Sequence, residues 1–283
     1  MQFLVQHSTH YHYESPVHDS FNDAHLCPVS DDWQRCDDFE LEIQPSSPSL
    51  LRRLDFYTNQ VHHFEVMEAH RELRVVARSR VTTYADTRDF SVPSDPQILP
   101  SLVMDERYYD FLHQSDRVSL STPVRHTFSE LSLEGMDVQA QVERIMDYVY
   151  TEFTYSPGVT QVETSVDRVL EMKQGVCQDF AHVMLALCRV AGIPARYVSG
   201  YFYVERPVSG SEDDNSASHA WVECFLPGIG WVGYDPTHNR RVSPIYIKVA
   251  MGRDYADVRP LAGTYRGSAK AELSVEVSVK TCG

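Results

Sequence analysis

Gln174-Gly175-Val176-Cys177-Gln178-Asp179-Phe180 puts a cysteine at a junction between a turn and a helix. Gly175 supplies the backbone freedom that a sharp turn or a close approach needs. Downstream, Phe180, Ala181, Met184, Leu187, Cys188 and Ala191 recur at helical spacing. Gly192 stands where a helix C′ glycine belongs, and Pro194 prevents continuation. The spacing predicts a buried helix of about four turns with Cys177 in its first turn. Free N–H groups and the positive end of the helix dipole favour a thiolate there. Such surroundings lower a cysteine pKa from about 8.5 into a range of roughly 3.5–7.5.

Beyond this helix the pattern changes to strands. Residues 195–204 predict a strand with Tyr197, Tyr201 and Tyr203 on one face. Residues 205–218 are polar, acidic and rich in turn formers, which predicts a mobile loop; a lid over the site is the alternative to a plain surface loop. His219-Ala220-Trp221-Val222-Glu223-Cys224-Phe225-Leu226 is a strand, Pro227-Gly228-Ile229-Gly230 a turn, and Trp231-Val232-Gly233-Tyr234-Asp235 the return strand, ended by Pro236. His219 opens one strand and Asp235 closes its neighbour, so both lie at one end of the sheet. A plain four-residue turn would pair Asp235 with Val222 and set His219 on the opposite face. An odd loop or a bulge is therefore expected; a five-residue loop would pair Asp235 with Trp221 and leave His219 on the diagonal.

Upstream, Asp137 reads as an N-cap before the stripe Val138, Val142, Ile145, Val149. Thr164-Ser165-Val166-Asp167 reads as a capping box with Asp in place of Glu. A short helix is expected over 105–113, with Tyr108, Phe111 and Leu112 on one side, whereas 114–135 has no clear period. Pro93, Pro96 and Pro100 mark a linker. The first hundred residues alternate with period two, as in Phe3, Val5, His7, Thr9, Tyr11, Tyr13 and again in Leu73, Val75, Ala77, Val81, with a hairpin turn at Thr58-Asn59-Gln60. The fold class expected is α+β: an all-β, sandwich-like domain over 1–100, a linker with a short helix over 101–135, and a core of helices packed on a mostly antiparallel sheet over 136–283. The tail strand Leu273, Val275, Val277, Val279 falls in that last unit.

Bulk properties narrow the function. Hydrophobic residues make up 42% of the 283, enough for a core, so wholesale disorder is excluded. A formal charge of −15 argues against a nucleic-acid partner, which needs a basic face. No segment has the apolar length of a membrane span, and Met1-Gln2-Phe3-Leu4-Val5 is no secretory signal, so no membrane partner and a cytoplasmic location are expected. The six cysteines form no C-x-x-C pair, which speaks against structural zinc and against a disulfide framework. His10 and His12 share a strand face but lack a third ligand, and no Ca²⁺-loop signature occurs. No metal and no cofactor are expected.

The constellation is therefore Cys177, His219 and Asp235. Cys177 would attack a carbonyl carbon as thiolate, His219 would hold the proton and pass it to the leaving amine, and Asp235 would fix the imidazole tautomer. The Cys177 backbone N–H is a natural oxyanion donor, with Trp221 and Gln178 as candidates for a second. Cys188 and Cys224 read as packed core residues and His182 as structural. Asp179 reads as a structural hydrogen-bonder at the helix start, and His238 has a small chance of lining the cleft.

The blocks Gly175-Val176-Cys177-Gln178-Asp179-Phe180-Ala181-His182, Gly192-Ile193-Pro194-Ala195-Arg196-Tyr197, His219-Ala220-Trp221-Val222-Glu223 and Tyr234-Asp235-Pro236-Thr237 resemble the transglutaminase-like superfamily, in its bacterial cysteine-protease type. Tyr11-His12-Tyr13-Glu14-Ser15-Pro16-Val17 and Asn59-Gln60-Val61 are similar to the β-rich region preceding the core in those proteins, and Gly252-Arg253-Asp254-Tyr255-Ala256-Asp257-Val258 to their C-terminal part. The resemblance implies a papain-like core with Cys177 as nucleophile, His219 as base and Asp235 as orienter. It implies acyl transfer or hydrolysis at a protein or peptide amide, with water or a small amine as acceptor. A silent binding or scaffold protein that keeps the fold is the alternative. Substrate and oligomeric state are left open.

Overall fold

The structure, a computed structural model, describes residues 1–204 and 218–282. The first part is built on β1 (Gln2–Ala24), β2 (Gln34–Gln44), β3 (Leu50–Leu54), β4 (Gln60–Val66) and β5 (His70–Thr83). Helices follow: α1 (Leu99–Leu102), α2 (Glu106–Leu112), α3 (Thr122–Glu130), α4 (Val138–Glu152), α5 (Val166–Met172) and α6 (Cys177–Val190). The short strands β6 (Thr154–Tyr155) and β7 (Gln174–Gly175) pair in parallel and tie the segment after α4 to the turn before α6. The remaining strands are β8 (Ala195–Phe202), β9 (Ser218–Leu226), β10 (Gly230–Asp235), β11 (Arg240–Arg241), β12 (Tyr246–Gly252), β13 (Leu261–Arg266) and β14 (Ala271–Thr281). The class is α+β, as expected. The loop expected over 205–218 lies outside the described residues, apart from Ser218 at the start of β9.

β1 is long because it serves two halves of one curled sheet. Its first half pairs with β5 and β14, its second with β4 and β13, and the register with β5 slips between His12 and Val17. Such a slip bends a strand and raises its twist. Tyr13, Val17, Phe64, Leu73 and Val75 fill the core of this part.

The tail corrects the domain division read from the sequence. β13 and β14 hydrogen-bond to β1, with pairs such as Ala24↔Leu261 and Val5↔Val279, so 261–281 belongs to the first sheet, not to the core. Period-two alternation identifies a strand but not its partner, and the free edge of β1 lay more than 250 residues upstream. The cores also merge: Phe3, Val5, Val81 and Val277 pack in one cluster with α4, α6 and β9.

The second sheet has the order β11-β10-β9-β8-β12 and is antiparallel throughout. α6 packs on it and is buried nearly all round, from Asp179 to Arg189. That is the pattern of a helix enclosed by other elements rather than one lying at a surface. It ends as expected: Gly192 has φ +75°, its N–H reaches the Arg189 carbonyl, and the Ile193 N–H reaches that of Cys188. Side chains clamp the first part to this sheet. Gln34 bonds both backbone groups of Lys248, and Lys248 Nζ lies 2.8 Å from Asp31 and 2.7 Å from Glu223.

Two local readings change. α3 occupies part of the stretch without a clear period; Ser121 caps it and Pro123 sits in its first turn, but only Val124 is buried, so no apolar stripe announces it. The cap of α5 is Ser165, not Thr164, and accepts from Arg168 N–H. Asp167 is thereby released to accept from Ser121 Oγ at 2.5 Å. No helix among the described residues is long and apolar enough to cross a membrane.

Candidate active site

The turn before Cys177 is shaped by Asp179. Its carboxylate folds back over the helix start, accepting from Val176 N–H at 2.8 Å and from Thr160 Oγ1 at 2.7 Å. A Cβ on residue 175 would sit 2.6 Å from Asp179 Oδ2, so only glycine fits below the carboxylate. Burial pushes the Asp179 carboxyl up, against those two hydrogen bonds. Asp179 is thus the structural hydrogen-bonder expected. The Cys177 N–H, at the first position of α6, has no intrahelical acceptor.

The hairpin carries the other two residues. Gly230 pairs with Leu226 and Trp231 with Phe225, leaving a three-residue loop over 227–229. The loop is odd, as expected, though shorter than five, and it sets the register that places Asp235 opposite Trp221. Gly228 (φ +83°) and Gly230 (φ +99°) make the tight reversal possible. Val222, Cys224, Val232 and Tyr234 face the main core, so His219 and Asp235 share the other face.

His219 Nε2 lies 2.8 Å from Asp235 Oδ2. Since a carboxylate only accepts, Nε2 carries the hydrogen of that bond, and the Cys177 side chain lies close enough to the imidazole to act on its charge. Burial works to lower the His219 pKa, but the bond to Asp235 and the neighbouring Cys177 side chain outweigh it and raise it from 6.5 to about 10. Asp235 has no exposed surface. Burial favours its neutral form, yet hydrogen bonds from His219, His238 and Tyr246 hold it well below the usual carboxylate range. The structure therefore bonds His219 to Asp235, with Cys177 acting on the same imidazole.

Sequence reasoning missed Tyr246 as a partner of Asp235 and gave His238 only a small chance of lining the cleft. The Tyr246 hydroxyl donates to Oδ2 at 2.6 Å and His238 Nδ1 at 2.7 Å, while the Thr237 N–H reaches Oδ1 at 2.8 Å. The Asp-Pro-Thr step could have signalled an Asx turn that returns residue 238 to the carboxylate. Nothing in sequence ties Tyr246, on the far edge strand, to Asp235. The two oxyanion candidates fare differently. Trp221 Nε1 is buried without a partner among the described residues, its ring packed with Val198 and Tyr246, whereas Gln178 is only partly buried beside Cys177 and its amide points to the Val162 carbonyl at 3.4 Å. His182 is buried at the middle of α6 and accepts from Tyr255 N–H, a structural role.

Among the described residues, His219, Asp235 and His238 are the group whose potential metal-ligating atoms cluster, within 4.8 Å of one another. Hydrogen bonds at 2.7–2.8 Å already join these atoms, which is the spacing of a proton-bonded network. His10 and His12 each approach Glu72 at 3.7 Å on the first sheet and form no such cluster.

Comparison with known proteins agrees with this arrangement. Residues 126–236 match the model of the transglutaminase-like superfamily core, and residues 3–82 match that of the bacterial transglutaminase-like N-terminal region. An uncharacterized protein of Mycobacterium leprae is 34% identical over 279 residues, covering 97% of each chain. An uncharacterized protein of Mycobacterium tuberculosis is 31% identical, covering 98% of this chain and 92% of its own length. A protein-glutamine gamma-glutamyltransferase of Pseudomonas aeruginosa is 28% identical over 247 residues, which is 83% of this chain but 34% of that protein. The crystal structure of a "Putative Cysteine Protease" from Cytophaga hutchinsonii superposes with a TM-score of 0.80 at 24% identity, covering all of this chain and 92% of the other, and so shares the fold. The chain belongs to the transglutaminase-like superfamily.

Proposed function

We propose that the protein is a cysteine-dependent acyltransferase or hydrolase acting on protein or peptide amides. The Cys177 sulfur attacks the amide carbonyl carbon, and the C–N bond breaks as His219 gives its proton to the leaving amine. The thioester left on Cys177 is cleaved by water, or by a small primary amine, whose proton His219 takes up. Asp235 holds the His219 ring and balances its charge. The chemistry runs on these side chains and needs no cofactor.

One observation carries this reading: a single imidazole is hydrogen-bonded to a buried carboxylate and feels the charge of a thiol at a helix N-terminus. The relative named as a glutamyltransferase supports an amine as the second acceptor. Water is the default acceptor, and hydrolysis is the preferred outcome here. A cytoplasmic setting fits the six free thiols, two of which, Cys188 and Cys224, stand 3.7 Å apart unbonded.

The test is alkylation with iodoacetamide at mildly acid pH, read by peptide mass spectrometry. Rapid labelling of Cys177 that is lost in His219→Ala supports the enzyme. Labelling as slow as that of the buried Cys188 supports a silent protein that keeps the fold.

A further inference from the structure

Asp235 does not serve one histidine alone. Its Oδ2 accepts from His219 Nε2 at 2.8 Å, from His238 Nδ1 at 2.7 Å and from the Tyr246 hydroxyl at 2.6 Å. A carboxylate oxygen has two lone pairs, so three donors on it must share its charge. The other oxygen is occupied by the Thr237 N–H. Burial does not explain His238: a third of its side chain is exposed, against 7% for His219. It is held by Asp235 and by the Phe202 ring, 4.7 Å away, which also faces His219 at 5.6 Å and Tyr246 at 4.8 Å.

We infer that His238 is a positioning residue for the Cys177–His219 pair: its Nδ1–H draws on the Asp235 charge and so sets how tightly Asp235 holds the proton on His219. The inference rests on the acyl-transfer reading above. Each donor to Oδ2 weakens the pull that the oxygen exerts on the others, because the acceptor density is shared. Without the His238 N–H, Asp235 binds the His219 proton more strongly. A proton held more strongly is given to a leaving amine less readily. The other charged or titratable groups around this carboxylate are His219 on β9, Tyr246 on β12, Cys177 on α6, and Arg240, which pairs with Asp235 across β10 and β11 and lies over Phe202 at 5.5 Å. They stay in place in the variants below.

The experiment compares wild type, His238→Ala, His238→Phe and His238→Asn as full chains. The rate of Cys177 alkylation is followed from pH 5 to 11, with melting temperature as a control for folding. In Ala and Phe the alkaline limb attributed to the His219 proton moves up by roughly half a pH unit or more. Phe keeps a ring against Phe202 but no donor, so it separates donation from packing. Asn restores an N–H donor and returns the limb towards wild type. If all three variants titrate as wild type, or if Phe restores the limb as well as Asn, the inference is overturned while the role of Cys177 stands. If wild-type Cys177 shows no His219-dependent alkylation, the acyl-transfer reading fails, and this inference fails with it.

Discussion

Replacing Asp235 with asparagine removes one charge and almost no volume, and its consequences can be worked from four distances. The carboxylate accepts from His219, His238, Tyr246 and the Thr237 N–H at 2.6–2.8 Å. In asparagine one of the two oxygens becomes an NH2 group, which meets a donor wherever it is placed. Breaking a buried ion pair by removing one partner costs about 3–5 kcal/mol, so the variant is destabilised by about that amount near neutral pH. The effect has a pH window. Asp235 is depressed in the folded state, so its stabilisation is present above the ordinary carboxylate pKa and is lost as pH falls through its low folded value. His219 is raised from 6.5 to about 10, so the same ion pair is fully present below 6.5 and is lost as pH rises through about 10. The stability gap between wild type and variant is therefore widest at about pH 5–6.5 and narrows towards both extremes. Reactivity follows. Without Asp235 the main partner holding the proton on His219 is lost while the burial that opposes it stays, so less of the imidazole is protonated at pH 7. Cys177 alkylation at pH 7 should drop about tenfold or more. The assay is iodoacetamide labelling with peptide mapping, beside thermal melts across pH. A variant that alkylates with the rate and pH profile of wild type would refute the reasoning.

Three further outcomes test other links. Gly175→Ala puts a methyl group 2.6 Å from Asp179 Oδ2, forces the carboxylate off Val176 and Thr160, and should cost about 2–4 kcal/mol in denaturant unfolding; a change below about 0.5 kcal/mol would contradict the steric account. Inserting one residue into the 227–229 loop should turn Asp235 to the opposite face and abolish rapid Cys177 labelling while far-UV circular dichroism is kept; retained labelling would show that register does not place the site. His7 is buried and lowered to about 4 by desolvation, so the unfolded chain binds more protons than the folded one between pH 4 and 6.5, and stability rises with pH across that window by up to about 3 kcal/mol. His7→Gln should flatten this acid slope, which melts at pH 4.5 and 6.5 would measure.

Much of the site was legible because each piece had a local cause. A glycine before the cysteine, a helical apolar pattern after it and a Gly–Pro stop fixed α6, and the parity argument on the β9–β10 hairpin required an odd loop or a bulge, of which the structure has the first. What was not legible was long-range. Tyr246 reaches Asp235 from another strand of the sheet, and β14 crosses to the first sheet to cover β1, and alternation along a strand names neither partner. α3 escaped because a helix with one buried residue has no stripe to read. His182 and Asp179 kept the structural roles that their positions on the helix suggested.

The central claim is that Cys177 carries the acyl group. It is tested most directly by mixing the protein with a glutamine-containing peptide library, quenching in acid within the first turnover, and mapping adducts by mass spectrometry. A thioester on the Cys177 peptide, absent in His219→Ala and discharged by water or by an added primary amine, is the predicted result. No adduct on Cys177 under any of these conditions, or adducts spread equally over the other half-buried thiols, Cys36 and Cys282, would contradict it.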